Sequence, residues 1–250
     1  ALGTTNLTQV GDPIASFYGY EVGGIISSTE ELTALNTKAP NGVYYDGTTK
    51  PGDFKFRDVN GDGFISELDK VMLGSAIPKF IYGVNLGMNY AGFDMNMVWS
   101  GTSGVKLFRS SKIFLSALQS SMHNASTELL DRWQNEGDIS TNPRPGQNGN
   151  LNLVPSSWYV ENGDYLRLRN FTIGYTVPLR SNKLLNKTFS NIRAYVAAQN
   201  LLTFTKYKGY DPEVGNPDGN PTDILNRGID AGVALPQPRT FLFGVQIGFN

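Results

Sequence analysis

The residues with the clearest chemistry lie in FKFRDVNGDGFISELDK, residues 54–70. Asp58, Asn60 and Asp62 alternate, Gly63 follows, and Asp69 completes the spacing. This is the calcium-loop pattern D-x-[DN]-x-[DN]-G-x5-E, with Asp in place of Glu at the last position. As such a loop curls, the side chains at its first, third and fifth positions converge on one point. The glycine permits the sharp turn and a backbone carbonyl supplies the seventh position. The predicted ligands are therefore Asp58, Asn60, Asp62, the Phe64 carbonyl and Asp69, with Ser66 placed to hold a water. Calcium takes hard oxygen donors of this kind, and no nitrogen or sulfur ligand competes here. The shorter Asp69 makes bidentate closure harder than Glu would. The alternative is an Asp/Asn/Gly-rich turn that needs no ion. The flanks are not those of a paired helical sensor. PGDFKF before the loop is extended, and only residues 66–73 have room for a short helix after it. The expected task is structural, the pinning of a long loop.

Little else in the chain points to catalysis. There is no cysteine, which removes disulfides, thiol nucleophiles and thiolate metal sites. His123 is the single histidine and reads as a solvated loop residue without a triad partner. No phosphate loop, nucleophile motif or carboxylate pair set for glycoside hydrolysis is present, so no enzyme is expected. Lys and Arg total 21 against 22 Asp and Glu, a balance that predicts no nucleic-acid partner. Charged residues are only 17% of the chain, against 12% aromatics and 28 glycines. That composition suits an all-β protein with many turns.

The elements around the loop alternate with period two. In residues 82–90 the even positions are apolar and the odd ones are Gly83, Asn85, Gly87 and Asn89. In residues 93–100 the odd positions are apolar, and only Ala91-Gly92 separates the two runs, which predicts a β-hairpin. Residues 165–177, 192–204 and 240–249 read as strands as well, and 17–26 as a weaker one. Within 105–135, apolar residues recur at helical spacing and predict one or two amphipathic helices, the second starting at Asn124 or Ser126. Residues 141–152 read as a turn-rich loop.

Alternation fits two architectures. One is a soluble β-sandwich that hides its apolar faces, here a calcium-dependent glycan-binding module. The other is a transmembrane barrel, apolar toward lipid and polar toward a wet lumen. Amide and small residues on the polar face, and aromatics at the run ends, favour the barrel. Connection lengths favour it again. From the Ala91-Gly92 turn onward they run long (102–163), short (178–190), long (205–238), as expected of external loops alternating with periplasmic turns. Six strands are too few to close a barrel, and an open edge is not tolerated in lipid. The chain is therefore expected to be the C-terminal part of a larger barrel.

These residues together resemble the C-terminal portion of SusC/RagA-type TonB-dependent outer-membrane transporters of Bacteroidetes. The matching stretches are SFYGYEVGGI (16–25), PGDFKFRDVNGDGFISELDKVMLGSAIPKFIYGVNL (51–86), SWYVENGDYLRLRNFTIGYTVP (157–178), QNLLTFTKYKGYDPE (199–213) and PRTFLFGVQIGF (238–249). They keep the family's order and cover the chain nearly end to end. The resemblance implies a barrel of about 22 strands with a plugged lumen. Residues 1–250 would be its C-terminal part, with the 58–69 loop inside an external loop. The plug, the TonB-contacting part and the remaining strands would precede them. It further implies an outer-membrane location, a SusD-like surface lipoprotein as lid, and TonB-driven import of oligosaccharides or peptides. One departure is Asn250 after Phe249, where such chains often end on the aromatic.

Three residues beyond a strand end, Tyr207, Tyr210 and Asp211, are candidates for contact with cargo or lid. Packing within their own loop is the alternative. Arg167 and Arg169 share a strand face and point either to a barrel-stabilising ion pair or to cargo contact. The period also fixes facing. Val84, Leu86, Met88, Phe93, Met95, Met97, Phe171, Ile173, Phe243, Val245 and Ile247 should face lipid, and Asn85, Asn89, Asp94, Asn96, Thr172 and Gln246 should face inward.

Overall fold

A computed structural model describes residues 5–116, 124–145, 151–179, 187–215, 223–232 and 235–250. In chain order the elements are β1 (Asn6–Leu7), β2 (Ser16–Tyr20), β3 (Val22–Ile25), α1 (Thr29–Lys38), β4 (Phe54–Phe56), β5 (Lys70–Gly74), β6 (Phe80–Tyr90) and β7 (Phe93–Ser103). They continue with β8 (Lys106–Arg109), α2 (Lys112–Leu115), β9 (Val160–Asn162), β10 (Tyr165–Thr176), β11 (Phe189–Thr205), β12 (Ile229–Asp230) and β13 (Thr240–Phe249). They divide into two compact units. The first holds residues 1–77, 106–162 and 213–234, and the second holds 78–105, 163–212 and 235–250.

The second unit is one antiparallel sheet in the order β13-β11-β10-β7-β6. β6 and β7 meet in register from Phe80↔Ser103 to Tyr90↔Phe93, so the loop between them is Ala91-Gly92 alone. Both turn residues have positive φ, 48° and 85°, as the twist-matched two-residue hairpin requires. Every longer excursion of the chain leaves and rejoins these strands at the opposite end, beyond Phe80, Ser103, Tyr165, Thr205 and Thr240. Among the described residues the sheet does not close, and its edge strands β6 and β13 each pair on one side only. Its apolar face is not covered: Phe243 is 75% exposed, Val245 66% and Met88 57%. A sandwich would have buried that face against a second sheet.

The first unit packs inward. One cluster gathers Tyr20, Ile26, Tyr44, Phe54, Phe56, Ile65 and Leu151, and another gathers Phe17, Ala76, Phe108, Ile113, Tyr159 and Ile229. A buried polar knot ties its chain segments together. The Asp53 carboxylate accepts from Arg144 (2.9 Å), Asn152 (2.9 Å) and the Lys50 backbone (2.8 Å), while Asn152 accepts from the Phe54 backbone (2.8 Å).

Two expectations are corrected here. Of the six strands read from the sequence, five form the sheet. The sixth, 17–26, is split between β2 and β3 in two different small sheets of the first unit. β2 is covered on both sides, because Phe17 enters one cluster and Tyr20 the other. A Cβ on its Gly19 would run into the Pro155 backbone. Over 105–135 two short helical pieces do form, α2 and a 3-10 turn, Thr127–Asp131, capped at the expected Ser126, but Lys106–Arg109 is strand β8 instead of helix. Leu107 and Phe108 are neighbours and both buried, so the apolar run reflects cover on both sides of β8 rather than a helix face. His123 and part of the 141–152 loop lie outside the described residues. The stretch after the acidic loop is a 3-10 turn, Glu67–Asp69, that passes straight into β5.

Candidate functional site: a two-faced sheet and an acidic loop

Pairing across the sheet puts every residue of the two expected sets on its own side, with the apolar Val98 and Leu242 joining the polar rows. Met88↔Met95↔Ile173↔Val196↔Phe243 runs along one face, as does Leu86↔Met97↔Phe171↔Ala198↔Phe241. Gly87↔Asn96↔Thr172↔Ala197 and Asn89↔Asp94↔Gly174↔Tyr195↔Gly244 run along the other. A one-residue slip would exchange the faces completely, which is why the register is so firmly specified. A groove of about 500 Å³ lined by Phe93, Ile173, Tyr175, Val196, Phe243 and Val245 belongs to the apolar face.

The polar face is organised by glycines that let long side chains lie across neighbouring strands. Arg193 on β11 crosses Gly174 on β10 and reaches Asp94 on β7, with contacts of 2.9 and 2.5 Å. A Cβ on Gly174 would fall 2.5 Å from the Arg193 guanidinium. Tyr195 covers Gly244 in the same manner and stacks with Arg193 at 4.9 Å. Asn96 donates to Asn85 at 3.0 Å. The expected inward set includes Asp94 and omits Arg193 and Tyr195, which the structure adds to it. Their signal was available in the period of β11, where both alternate with Ala194 and Val196.

Toward the opposite strand end the register shifts. Arg169 stands alone against Asn200 and Leu201, and Asn200 takes φ 52°. This bulge keeps Arg169 on the polar face, where it donates to Ser100 at 2.7 Å. Arg167 is buried on that face and donates to Thr203 (3.0 Å) and to both oxygens of Asp211 (2.8 and 2.9 Å). Of the three candidate contact residues, Tyr207 and Asp211 are thus buried and Tyr210 is 67% exposed.

The acidic loop is closed by its own N–H groups. Asp58 accepts from Gly61 (2.6 Å) and Gly63 (2.8 Å), and Asp62 accepts from Phe64 (3.1 Å) and the Asn60 amide (2.8 Å). Asp69 is fully buried. It accepts from the backbone of Val59 (2.8 Å), Asn60 (3.4 Å) and Ser66 (2.8 Å), and forms a capping box with Ser66. These contacts bring both ends of the 58–69 span to the same turn. The donor chemistry is that of a hard-cation site, since each carboxylate has acceptor capacity beyond the bonds it makes. The convergence is incomplete: among the described residues no group of three or more His, Cys, Asp or Glu side chains is placed to hold a metal. Beside the loop lies a cleft of about 380 Å³ lined in part by Glu21, Lys38, Lys55, Arg57 and Asp58.

Comparison with known proteins points one way. No family model matches the chain. TonB-dependent receptor P3 of Formosa agariphila is 33% identical over 98% of this chain and 23% of its own length. TonB-dependent receptor P26 of the same organism is 30% identical over 99% of the chain and 24% of its length. TonB-dependent receptor SusC of Bacteroides thetaiotaomicron is 28% identical over 82% of the chain and 18% of its length. The chain thus spans about a quarter or less of the relatives it matches. Among solved structures, the RagAB peptide transporter superposes with a TM-score of 0.71 at 22% identity, over 98% of this chain and 24% of that one. At that identity the likeness establishes the fold: a piece of a large transmembrane β-barrel.

Proposed function

We infer that this chain, a relative of the TonB-dependent receptors over nearly its whole length, is the C-terminal wall and external loops of a TonB-dependent outer-membrane importer. The observation that carries this reading is the sheet, whose apolar face lies bare while its polar face is knit by ion pairs and amides. Water makes such a face costly at about 25 cal/mol per Å² of apolar area, and hydrocarbon removes the cost. The open edges β6 and β13 pair with further strands of the same barrel, because lipid leaves no backbone group unsatisfied. The polar face lines the lumen, and the first unit is built from the external loops. The remaining parts of the reading extend the sequence resemblance: coupling to TonB through a part of the protein N-terminal to this region, a SusD-like lipoprotein as lid, and oligosaccharide or peptide cargo.

Calcium belongs to this proposal as a structural ion of the 58–69 loop. Asp58, Asn60, Asp62, the Phe64 carbonyl and Asp69 would hold it, through the acceptor capacity that their hydrogen bonds leave over. Calcium titration of the purified full-length receptor should raise its thermal midpoint, and Asp62→Ala should remove that rise without stopping assembly. No rise in the parent would eliminate the ion.

Fractionation and uptake test the whole reading. The full-length receptor should require detergent, migrate as a heat-modifiable barrel, co-purify with a surface lipoprotein, and take up labelled oligosaccharide or oligopeptide only in cells with intact TonB. Recovery as a soluble protein without detergent would overturn it.

A further inference from the structure

Arg167 is a guanidinium buried to within 2% of complete cover, on the polar face of a strand. A buried charge needs a partner, and here the partner comes from outside the sheet. The Arg167 Nη2 group reaches both Asp211 oxygens, at 2.8 and 2.9 Å. The same carboxylate accepts from the Gln237 backbone at 3.2 Å. Asp211 lies six residues past the end of β11 and Gln237 three residues before β13. One carboxylate therefore fastens both stems of the 206–239 connection to the face that carries Ser100, Arg167 and Thr203. Nearby, Thr205 donates to the Asp164 carbonyl at 2.8 Å and Asn200 to the Pro238 carbonyl at 3.2 Å. Exposure alternates along the segment: Tyr207 and Asp211 are buried while Tyr210 is 67% exposed.

We propose that residues 206–212, with 235–238, form a strap folded inward over the polar face, that the Arg167–Asp211 pair is its latch, and that Tyr210 is thereby presented to cargo at the barrel mouth. The inference rests on the barrel reading above. It gives three candidate residues different tasks. Asp211 anchors the strap, Tyr207 packs beneath it, and Tyr210 stands on the side turned away from the strand wall, which in a barrel is the cargo path. Arg167 is a positioning residue, since it acts on cargo only through the place it gives Tyr210. A connection that stood outward from the strand ends would have left Arg167 open to the lumen.

Residues 1–250 hold no cysteine, so a cysteine introduced here is the one thiol of this region. Tyr210→Cys is introduced into the full-length receptor in intact cells, with the parent as background control. Labelling is timed with a small membrane-impermeant maleimide and with a bulky polymer-linked maleimide. The strap predicts ready reaction with the small reagent and slow reaction with the bulky one. Adding Asp211→Asn should raise the bulky-reagent rate several-fold while the small-reagent rate changes little. Equal rates for the two reagents without the second change, or no effect of Asp211→Asn, would overturn the strap. Asp211→Asn takes a carboxylate charge away from a buried guanidinium and can block assembly. The double variant Arg167→Met with Asp211→Leu removes both charges and covers that outcome. It should assemble and show the raised rate; assembly without the rise, or failure to assemble, would make the contact structural and end the proposal. Val245→Cys separates the two readings. Ready labelling there by the water-soluble reagent would refute the barrel and not the latch alone.

Discussion

The two units of this chain treat the same kinds of residue in opposite ways. In the first, Phe17, Phe54 and Phe108 are completely buried and Asp53 is hidden with them, hydrogen-bonded to Arg144 and Asn152. In the second, Phe243, Val245 and Met88 are more than half exposed, while Arg193 and Asp94 close on each other across the other face. The composition of the two parts does not force this difference; the medium does. The first unit is organised as a domain in water, where burying apolar area drives folding. The sheet is organised for a solvent that makes no demand on apolar groups and a heavy one on polar groups.

The sharpest way to break the comparison is to remove the charge at the centre of the first unit. Asp53→Ala removes the carboxylate on which Arg144, the Asn152 amide and the Lys50 N–H converge. Removing one partner of a buried pair costs about 3–5 kcal/mol. Limited proteolysis of the full-length receptor should then cut within residues 1–77 or 106–162, while the heat-modifiable barrel still assembles. Loss of the barrel with no gain in cleavage would mean the two units do not fold as separately as the comparison says.

The reverse experiment probes the sheet. Val245 and Gln246 are adjacent and on opposite faces. An arginine facing lipid near the midplane costs about 2–4 kcal/mol, and one facing the lumen far less. Val245→Arg should therefore lower the assembled fraction clearly more than Gln246→Arg. Equal assembly would remove the lipid assignment of the apolar face.

What could be read in advance follows the same division. The sheet was legible because one face is apolar throughout. Period two then fixes facing, and Ala91-Gly92 fixes the first hairpin. The first unit was not, because its strands are covered on both sides. Phe17 and Tyr20 enter different clusters, and Leu107 and Phe108 are buried side by side, so no period survives to be counted. Its polar centre joins Asp53 to residues 91 and 99 positions away, a separation at which spacing carries no signal. The acidic loop was found because all its parts are local. Arg167 and Asp211 were each singled out, but their pairing over 44 positions was not visible.

A pH titration offers a milder test of the first unit. Burial pushes the Tyr159 hydroxyl above its ordinary value. Burial does the same for Tyr20, with Tyr45 and Glu67 adding to the effect. Below pH about 10 the phenols are protonated whether the chain is folded or not. Above it the unfolded chain releases protons that the folded one keeps, so stability falls as pH rises through the folded values. Tyr159→Phe loses the 2.7 Å bond to the Asn152 carbonyl, worth about 1 kcal/mol at neutral pH, yet should flatten this alkaline decline. An unchanged slope would show that Tyr159 ionises freely in the folded unit.

The smallest expected effect distinguishes two glycines of the acidic loop. Gly61 and Gly63 both hold positive φ, 77° and 88°. Left-handed backbone costs a non-glycine residue about 1–2 kcal/mol, so each change to alanine carries that penalty. Their surroundings differ. A Cβ at Gly61 meets open space, whereas one at Gly63 falls 2.7 Å from the Lys38 carbonyl at the end of α1. That atom is backbone and cannot rotate aside. Gly63→Ala should therefore lower the thermal midpoint of the first unit more than Gly61→Ala, and should raise hydrogen exchange at Ala39, whose N–H bonds the Leu35 and Asn36 carbonyls. The sheet should be indifferent to both. If Gly61→Ala proves the costlier change, the loop does not rest against α1 as described, and the water-like packing of the first unit ends short of its acidic loop.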